Sequence, residues 1–423
     1  MGTARVVFDR WSDRYADRLS GVRSSAVRDL FAAASRPDMI SFSGGMPEVS
    51  RVPATDVATA AHDAMLHEGA CALQYGSSNG RPETRALIVE LMAESGVRLS
   101  ADDLIVTAGA QQGLDLLAKT FINPGDVVIA EGPTYVGALQ AFSAYQPDIR
   151  CIPLDSDGMR MDLLEAELKR LGPRGAKFIY TIPNFQNPGG VTMSAERRRR
   201  LLELSREYDI PVVEDDPYGR LRFEGGHVKP LRALDDDVIY LGTFSKIFAP
   251  GLRLGWMAAP RPILAKVLLV KQAADLCGSN FAQVTAERYF MGARWRRTLQ
   301  TLTKTYAERR DAMLAALDEH FPAEARWTRP EGGFFVWVEL PSFVDTGALL
   351  AEAVEHGVTF VPGDGFFPDG SGKNCMRLAF CYAEPERIGE GIRRLAEVIE
   401  DRLELYRAFI AAGAIEAPEE GAA

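Results

Sequence analysis

The sequence predicts an α/β protein with a large domain, built on a mostly parallel sheet flanked by helices, and a smaller α+β domain. Length is the first reason, because 423 residues exceed what one ordinary hydrophobic core holds together. The second is the alternation of strand and helix segments along residues 103–241. The third is that the strand segments are nearly continuous apolar runs, as expected for parallel strands buried on both faces.

The predicted elements follow one another in a regular order. Helices are expected first over residues 26–34, an amphipathic segment, and 54–69. Strands are then predicted over residues 103–109, 126–133, 148–155, 177–183, 210–216 and 238–241. Helices are predicted between them over residues 111–121, 135–144, 163–171 and 196–208. A helical stretch over 262–318 leads to a second unit, with strands over 331–340 and 375–382 and helices over 347–357 and 388–410.

These elements give the expected domain limits. We expect an N-terminal segment (1–45) that packs with the small domain, and a large domain over residues 46–295. The small C-terminal domain is expected over residues 296–410. Residues 411–423 are small, acidic and poor in large apolar side chains, and they predict a disordered tail.

The composition is that of a soluble globular protein and argues against several kinds of site. A net charge of −10 argues against nucleic acid or an anionic membrane surface as a partner. The five cysteines form no CxxC pair and the five histidines are not at ligand spacing, so we expect neither a disulfide framework nor a metal site. Because no signal-peptide pattern opens the chain and no apolar run could span a bilayer, we expect a cytoplasmic protein.

The stretch Asp237–Trp256, DVIYLGTFSKIFAPGLRLGW, carries the most informative chemistry. An apolar strand is followed by Thr243 and Ser245, whose hydroxyls can donate to an anion, and Arg253 can clamp the same anion. Lys246 lies among apolar residues, where burial favours the neutral, nucleophilic amine. An amine beside an anion clamp is what a phosphorylated aldehyde cofactor requires, although a strand followed by a solvated lysine is the simpler interpretation of this stretch alone.

Other polar residues follow predicted strands at the same edge of the sheet. Gly109, Asn187, Asp215 and Lys246 each come after an apolar strand, and ligands of parallel sheets bind at the carboxyl ends of the strands. The turn at Gly109 leads straight into a helix whose free N–H groups can bind an anion. Asp215 needs a cation such as a protonated pyridine if it is buried, but the carboxylates on either side of it leave the choice open. Asn187 also fits an ordinary turn.

Three further residues allow two interpretations each. Arg377 has apolar neighbours on both sides, so it either pairs with a structural carboxylate or binds the carboxylate of a substrate. Tyr75 and Tyr135 lie in predicted loops, where they either pack or face a cofactor ring or phosphate.

Together the motifs resemble those of a known family. The chain contains, in order, GAQQGL, EGPTYVG, NFQNPGG, VEDDPYG, TFSKIFAPGLRLGW, PEGGFFVW and NCMRLAF. It therefore resembles the pyridoxal-phosphate-dependent class I aminotransferases of fold type I, and within them the branch of the α-aminoadipate and kynurenine aminotransferases. The resemblance covers roughly residues 20–405. It implies a homodimer with shared active sites that moves an amino group from an L-amino acid to a 2-oxo acid by a ping-pong mechanism.

The resemblance also implies a role for each matching residue. Lys246 would hold pyridoxal 5'-phosphate covalently and then move a proton at the substrate Cα, and Asp215 would keep the ring nitrogen protonated. Asn187 and Tyr218 would bond the phenolic oxygen of the ring. The implied phosphate residues are Ala110, Gln111, Thr243, Ser245 and Arg253, with Tyr75 reaching the phosphate of the neighbouring subunit and Tyr135 stacking on the ring. The implied substrate residues are Arg377 at the α-carboxylate, Gly45, Asn187 and, for an acidic side chain, Arg28, which also fits a surface helix.

The sequence departs from the family pattern at three positions. Ala110 stands where relatives often carry serine, Thr243 replaces a common serine, and Asn79 lies where an acidic residue is frequent. The motifs also fit another reaction of the same cofactor, namely β-elimination, decarboxylation-linked deamination or oxidation. A further alternative is the effector module of a transcription regulator, but about 40 residues before the SFSGG motif are few for a DNA-binding domain. The amino donor and the 2-oxo acid stay open.

Overall fold

The computed structural model describes residues 9–21 and 38–412 of the chain. The predicted helix over 26–34 lies outside these residues, and so does the predicted tail from residue 413 onward. The first described strand is β1 (Ile40–Ser41), which follows a 3-10 turn at Asp17–Gly21. Within the described ranges, no helix is long and apolar enough to cross a membrane.

An eight-stranded sheet forms the centre of the structure. Its strands are β2 (Leu104–Thr107), β3 (Val127–Gly132), β4 (Asp148–Asp155), β5 (Gly158–Met159), β6 (Ile179–Thr181), β7 (Val212–Asp215), β8 (Ile239–Thr243) and β9 (Gly255–Ala258). They lie in the order β2-β9-β8-β7-β6-β3-β4-β5. The central strands β8, β7, β6, β3 and β4 are parallel, and β2 shares their direction because β2 and β8 are both antiparallel to β9. The carboxyl ends of β2, β6, β7 and β8 therefore open at one edge.

Helices cover both faces of this sheet. They are α1 (Ala54–Leu73), α2 (Pro82–Glu94), α3 (Ala110–Phe121), α4 (Val136–Ser143), α5 (Met161–Leu171), α6 (Ala195–Tyr208), α7 (Arg261–Asp275) and α8 (Asn280–Phe290). Successive residues of β7 show the two-sided burial: Val213 packs in a core with α3, α4 and α7, whereas Val212 packs in a core with α5 and α6. Local sequence sets the helix ends, as in α6, where the Ser194 hydroxyl accepts from the backbone N–H of Arg197.

A second, antiparallel sheet stands beside the first. It contains β10 (Arg326–Trp327), β11 (Phe335–Glu339), β13 (Val361–Pro362) and β14 (Cys375–Ala379), in the order β10-β11-β14-β13. Its helices are α9 (Arg294–His320), α10 (Thr346–Glu355) and α11 (Pro385–Ala411). Strand β1 pairs in parallel with β12 (Val358–Thr359), so that Ile40 and Phe42 lie in the core of this second unit. Short 3-10 turns lie at Val49–Arg51, Ala101–Asp103, Leu231–Ala233, Pro250–Leu252 and Gly363–Phe366.

The predicted α/β class with a mostly parallel sheet is confirmed. Strand β9 was not predicted. Its four residues come soon after a 3-10 turn, and no polar turn residues of their own mark where the strand begins. The predicted helical stretch over 262–318 divides into α7, α8 and α9, with the first break at Leu276, whose φ is 60°. The domain limits stay a prediction, and the one at 295/296 falls inside the first turn of α9.

Candidate active site

A cavity of about 490 Å³ lies at the edge where the parallel strands end. Twelve of the fourteen residues that the sequence predicted for the site line it: Gly45, Ala110, Gln111, Tyr135, Asn187, Asp215, Tyr218, Thr243, Ser245, Lys246, Arg253 and Arg377. They come from both sheets, since Arg377 lies on β14 and Asp215 on β7. The fold thus brings together residues that are up to 332 positions apart along the chain, from Gly45 to Arg377.

Asp215, the last residue of β7, presents a carboxylate with one unused oxygen. Oδ2 accepts from the Tyr180 hydroxyl at 2.9 Å, while Oδ1 is buried and has no hydrogen-bond partner among the described residues. Burial raises the pKa of Asp215 to about 7. A buried oxygen without a donor is costly, so this geometry suits a cationic N–H donor placed in the cavity.

The two neighbouring carboxylates have other tasks. Glu214 points away from the cavity and accepts from the backbone N–H groups of Leu231 and Arg232, each at 2.8 Å. Asp216 accepts from the side chains of Asn184 and Tyr240. Neither lines the cavity, so the alternative that the sequence left open at this motif is resolved in favour of Asp215 as the cavity carboxylate.

Lys246 follows β8 and points its amine into the cavity. Its Nζ donates to the backbone oxygen of Gly45 at 2.7 Å and lies 5.4 Å from the centre of the Phe334 ring. The pKa of Lys246 is lowered to about 8, mainly by burial; Cys381 acts in the opposite direction, and the positive charges of Arg377 and Arg253 add to the lowering. A fraction of the amine is therefore neutral and nucleophilic near neutral pH.

An anion cradle lies where the turn between β2 and α3 lines the cavity. Gly109 precedes α3 with φ 79°, and the first N–H groups of that helix have no partner within the helix. Arg253 approaches Gly109 so closely that a Cβ there would come within 2.5 Å of its Nη2. The hydroxyls of Thr243 and Ser245 bond each other at 2.9 Å on the same side. Backbone donors, hydroxyls and a guanidinium together suit a phosphate group.

Arg377 forms the cavity wall on the side of the second sheet. Its Nη1 donates to Asn187 Oδ1 at 3.0 Å and its Nη2 to the backbone oxygen of Ser43 at 2.7 Å. The guanidinium lies 4.2 Å from the ring centre of Phe335 and 5.1 Å from that of Phe366. Burial lowers its pKa to about 10, so the group stays cationic at neutral pH. Two aromatic rings restrict it to in-plane contacts, which suits a carboxylate.

Two predicted residues are not in the cavity. Tyr75 is 78% exposed and does not line it, as expected for a side chain that would serve a neighbouring subunit. Arg28 lies outside the described residues. The sequence interpretation missed further lining residues, which are Val136, Gly137, Gln140, Ile182, Pro217, Pro250 and Phe335. Five of these seven lie inside the motifs quoted above, and Gln140 and Ile182 do not, so membership of a motif was the available signal for most of them.

The cavity fits a phosphorylated pyridine aldehyde. The unpaired Oδ1 of Asp215 matches a protonated ring nitrogen, the amine of Lys246 matches the aldehyde, and the cradle near Gly109 matches the phosphate. All three elements lie at the edge of the sheet where the parallel strands end. The fold and the cavity define a pyridoxal-phosphate-dependent enzyme of fold type I.

Comparison with known proteins identifies the family. The family model described as aminotransferase class I and II matches residues 37–395. The aromatic-amino-acid aminotransferase 1 of Thermococcus litoralis is 45% identical over 394 residues, which are 92% of this chain and 94% of that protein. The 2-aminoadipate transaminase of Thermus thermophilus is 38% identical over 400 residues, covering 93% of this chain and 98% of that protein.

A solved structure agrees with the sequence comparison. The kynurenine aminotransferase of Pyrococcus horikoshii, solved with PMP, has a TM-score of 0.88 and 44% identity, covering 92% of this chain and 98% of that one. The chain belongs to the class I and II aminotransferases. It is therefore a transaminase that moves an amino group between an amino acid and a 2-oxo acid, with pyridoxal 5'-phosphate as its cofactor.

Proposed function

We propose that Lys246 is the residue that binds the cofactor and moves the proton at the substrate Cα. The supporting observation is an amine whose pKa is lowered to about 8 in the cavity that also holds the unpaired oxygen of Asp215. When bound, pyridoxal 5'-phosphate supplies a protonated ring that delocalises negative charge from the substrate and carries the amino group between half-reactions. A base that is partly neutral at neutral pH can accept and return that proton without a large energetic penalty.

The remaining residues orient the ring and hold its phosphate. Asp215 Oδ1 accepts from the ring nitrogen and keeps it protonated, because the ionised carboxylate is buried and gains a cationic partner. Asn187 and Tyr218 line the same cavity and would donate to the phenolic oxygen of the ring, and Tyr135 would pack against the ring. The phosphate is bound by the backbone N–H groups of Ala110 and Gln111, by the hydroxyls of Thr243 and Ser245, and by Arg253.

On the substrate side, Arg377 binds the α-carboxylate, with Gly45 and Asn187 beside it. Once the guanidinium has a carboxylate partner, its buried Nε, which has no partner among the described residues, can contribute a third donor. Excluding water from this site strengthens the ion pair, since the same charges interact more strongly in a low dielectric.

The amino donor that we propose is an aromatic or other large neutral L-amino acid. In the described part of the chain, the cations that line the cavity are Lys246, Arg253 and Arg377, and each already has a task. Apart from Asp215, which faces the proposed ring site, the remaining lining is apolar or neutral and includes Ile182 and Phe335. The relative from Thermococcus litoralis, named for aromatic amino acids, supports the same class. Arg28 stays a prediction for acidic side chains.

The assembly that we propose is a homodimer in the cytoplasm. Leu66, Leu73 and Tyr75, in the last two turns of α1 and just after it, are 65%, 74% and 78% exposed, so this surface offers apolar area to a second copy. Tyr75 would reach the phosphate of the neighbouring subunit. A light-scattering mass near 46.4 kDa at micromolar concentration would contradict the dimer, whereas twice that mass is expected. All five cysteines are free, which suits a reducing compartment.

One titration tests the reaction and the donor together. Purified holoenzyme is mixed with single amino acids without any 2-oxo acid, and the visible absorbance of the lysine-bound cofactor is followed. We expect phenylalanine, tyrosine or kynurenine to bleach the band at low concentration and a 2-oxo acid to restore it. Ammonia release without restoration would contradict transamination, and faster bleaching by 2-aminoadipate or glutamate than by every neutral amino acid would contradict the proposed donor class.

A further inference from the structure

Beneath the anion cradle, a chain of hydrogen-bonded side chains, half-buried at Gln112 and Asp275 and fully buried at Lys271, holds the turn between β2 and α3. Gln112, in the first turn of α3, reaches back so that its Oε1 accepts from the backbone N–H of Ala108 at 2.7 Å. Its Nε2 donates to Asp275 Oδ2 at 2.7 Å, at the end of α7. Both oxygens of Asp275 accept from Lys271 Nζ, at 2.9 and 3.0 Å. The amide oxygen of Gln112 therefore faces a donor and the amide nitrogen faces an acceptor, and a flipped amide would satisfy neither partner.

Lys271 is a charged residue at a position where ordinary helix packing would need only an apolar side chain. Its side chain is fully buried on α7, where an apolar residue would pack without the desolvation cost of an ammonium group. The carboxylate of Asp275, which it fixes from both oxygens, is the acceptor that holds Gln112. Neither Lys271 nor Asp275 lines the cavity, so their contact with the site runs through Gln112 and Ala108.

The peptide that Gln112 holds is also bound by a residue of the cradle. The backbone oxygen of Ala108 accepts from Arg253 Nη2 at 3.1 Å, while the N–H of the same residue donates to Gln112. The next residue, Gly109, accepts from the Thr107 hydroxyl at 3.0 Å. A displacement of Ala108 would therefore move the guanidinium of Arg253 and the N-terminus of α3 together, and these are the two strongest anion-binding elements of the cradle.

We propose that Gln112 is a positioning residue for the phosphate of the cofactor, and that Asp275 and Lys271 fix it in place. The inference rests on the proposed phosphate site at the start of α3. Gln112 sets the direction of the free N–H groups and of Arg253 without touching the phosphate itself. The affinity for a phosphate group should then depend on Gln112, while the affinity for the rest of the ring should not.

The test compares two ligands that differ only in the phosphate. Apoenzyme is titrated with pyridoxal 5'-phosphate and with pyridoxal, and each dissociation constant is taken from the quenching of intrinsic fluorescence. In Gln112→Met, which keeps the length of the side chain, we expect about tenfold weaker binding of the phosphorylated ligand, because misdirected N–H groups or a displaced Arg253 would lose about one hydrogen bond to the phosphate. Pyridoxal binding should change less than about twofold. The control Tyr145→Phe removes the hydroxyl that donates to Asp115 on the same helix and should change neither constant.

A pair of double variants tests the far end of the chain without leaving a buried charge. Lys271→Met with Asp275→Asn retains an amide oxygen that can accept from Gln112, whereas Lys271→Met with Asp275→Leu has no acceptor. We expect the first to keep the preference for the phosphorylated ligand and the second to lose several-fold of it. If the two double variants preferred pyridoxal 5'-phosphate over pyridoxal to the same extent, the role of Asp275 would be overturned.

Two outcomes separate this inference from the proposed function. If wild-type apoenzyme bound both ligands equally, or if Arg253→Met left the preference unchanged, the proposed phosphate site would fail and the inference with it. Suppose instead that Arg253→Met lowered the preference for pyridoxal 5'-phosphate over pyridoxal, while Gln112→Met weakened the binding of both ligands by the same factor or changed neither dissociation constant. The phosphate site would then stand, and Gln112 would be a structural residue only.

Discussion

Replacing Asp215 by asparagine should stabilise the cofactor-free protein at neutral and alkaline pH. The pKa of Asp215 is raised from 3.8 to about 7 by burial, so the folded protein binds a proton that the unfolded chain has already released. The difference of about three pKa units corresponds to about 4 kcal/mol at most, since one pKa unit is worth about 1.4 kcal/mol. Asp215→Asn removes this penalty and leaves an oxygen that can accept from Tyr180.

The sign fixes the pH dependence. A group whose pKa is raised on folding contributes its stability fully below the unfolded value of 3.8 and loses it as the pH rises through about 7. The advantage of Asp215→Asn over wild type should therefore grow by about 2 kcal/mol between pH 5 and pH 7 and level off above pH 7. Urea unfolding of both apoproteins at one protein concentration, repeated across this range, measures it.

In the matched control, Asp155→Asn, the expected change in stability has the opposite sign. Asp155 accepts from Arg197 at 2.5 Å, a hydrogen bond that lowers its pKa, so Asp155→Asn should destabilise the protein at neutral pH and have less effect as the pH falls. Saturating pyridoxal 5'-phosphate should reverse the order for Asp215→Asn, because only the carboxylate gains a cationic partner. An advantage of Asp215→Asn that did not depend on pH, or a more stable wild-type apoprotein at pH 8, would refute the reasoning.

Three further predictions concern the other charged groups of the cavity. Lys246→Ala should abolish the absorbance of the lysine-bound cofactor and all turnover; full activity in this variant would remove Lys246 from its proposed role. Arg377→Ala should raise KM for the amino acid about 10- to 100-fold, as expected for lost hydrogen bonds to a carboxylate, and should leave the dissociation constant of the cofactor unchanged. In apoprotein that has been reductively methylated with labelled formaldehyde, the NMR signal of Lys246 should titrate near pH 8, well below the usual 10.5 of lysine, because burial disfavours the charged amine. A midpoint above pH 10 would contradict this, and the exposed Lys169, whose pKa is raised by a hydrogen bond to Glu165, provides the internal comparison.

The sequence predicted the parallel sheet and most of the cavity because both depend on local patterns. An apolar strand followed by a polar residue, as at Asp215 and Lys246, indicates a strand end, and parallel strand ends share one edge. The same patterns cannot show where a side chain points. Glu214 and Asp215 are adjacent on one strand, and only the alternation of side chains across the sheet sends them to different surroundings.

Other features depend on contacts between distant segments, which one sequence does not reveal. The hydrogen bond between Tyr180 and Asp215, the rings of Phe335 and Phe366 around Arg377, and the chain from Lys271 to Ala108 all arise from packing. Strand β9 was missed because its alignment against β2 and β8, rather than its composition, makes it a strand.

The residues proposed to bind the cofactor and the substrate carboxylate come from two different sheets. Lys246 and Arg253 lie on the single connection between β8 and β9, so the proposed covalent and ionic attachments of the cofactor belong to one segment of the chain. Arg377 and Phe335 lie on the antiparallel sheet, and Phe366, the second ring beside the guanidinium, lies in the 3-10 turn Gly363–Phe366. Substitutions of Phe335 should therefore change which amino acid side chains fit the cavity while Lys246 and Arg253 on the first sheet stay unchanged.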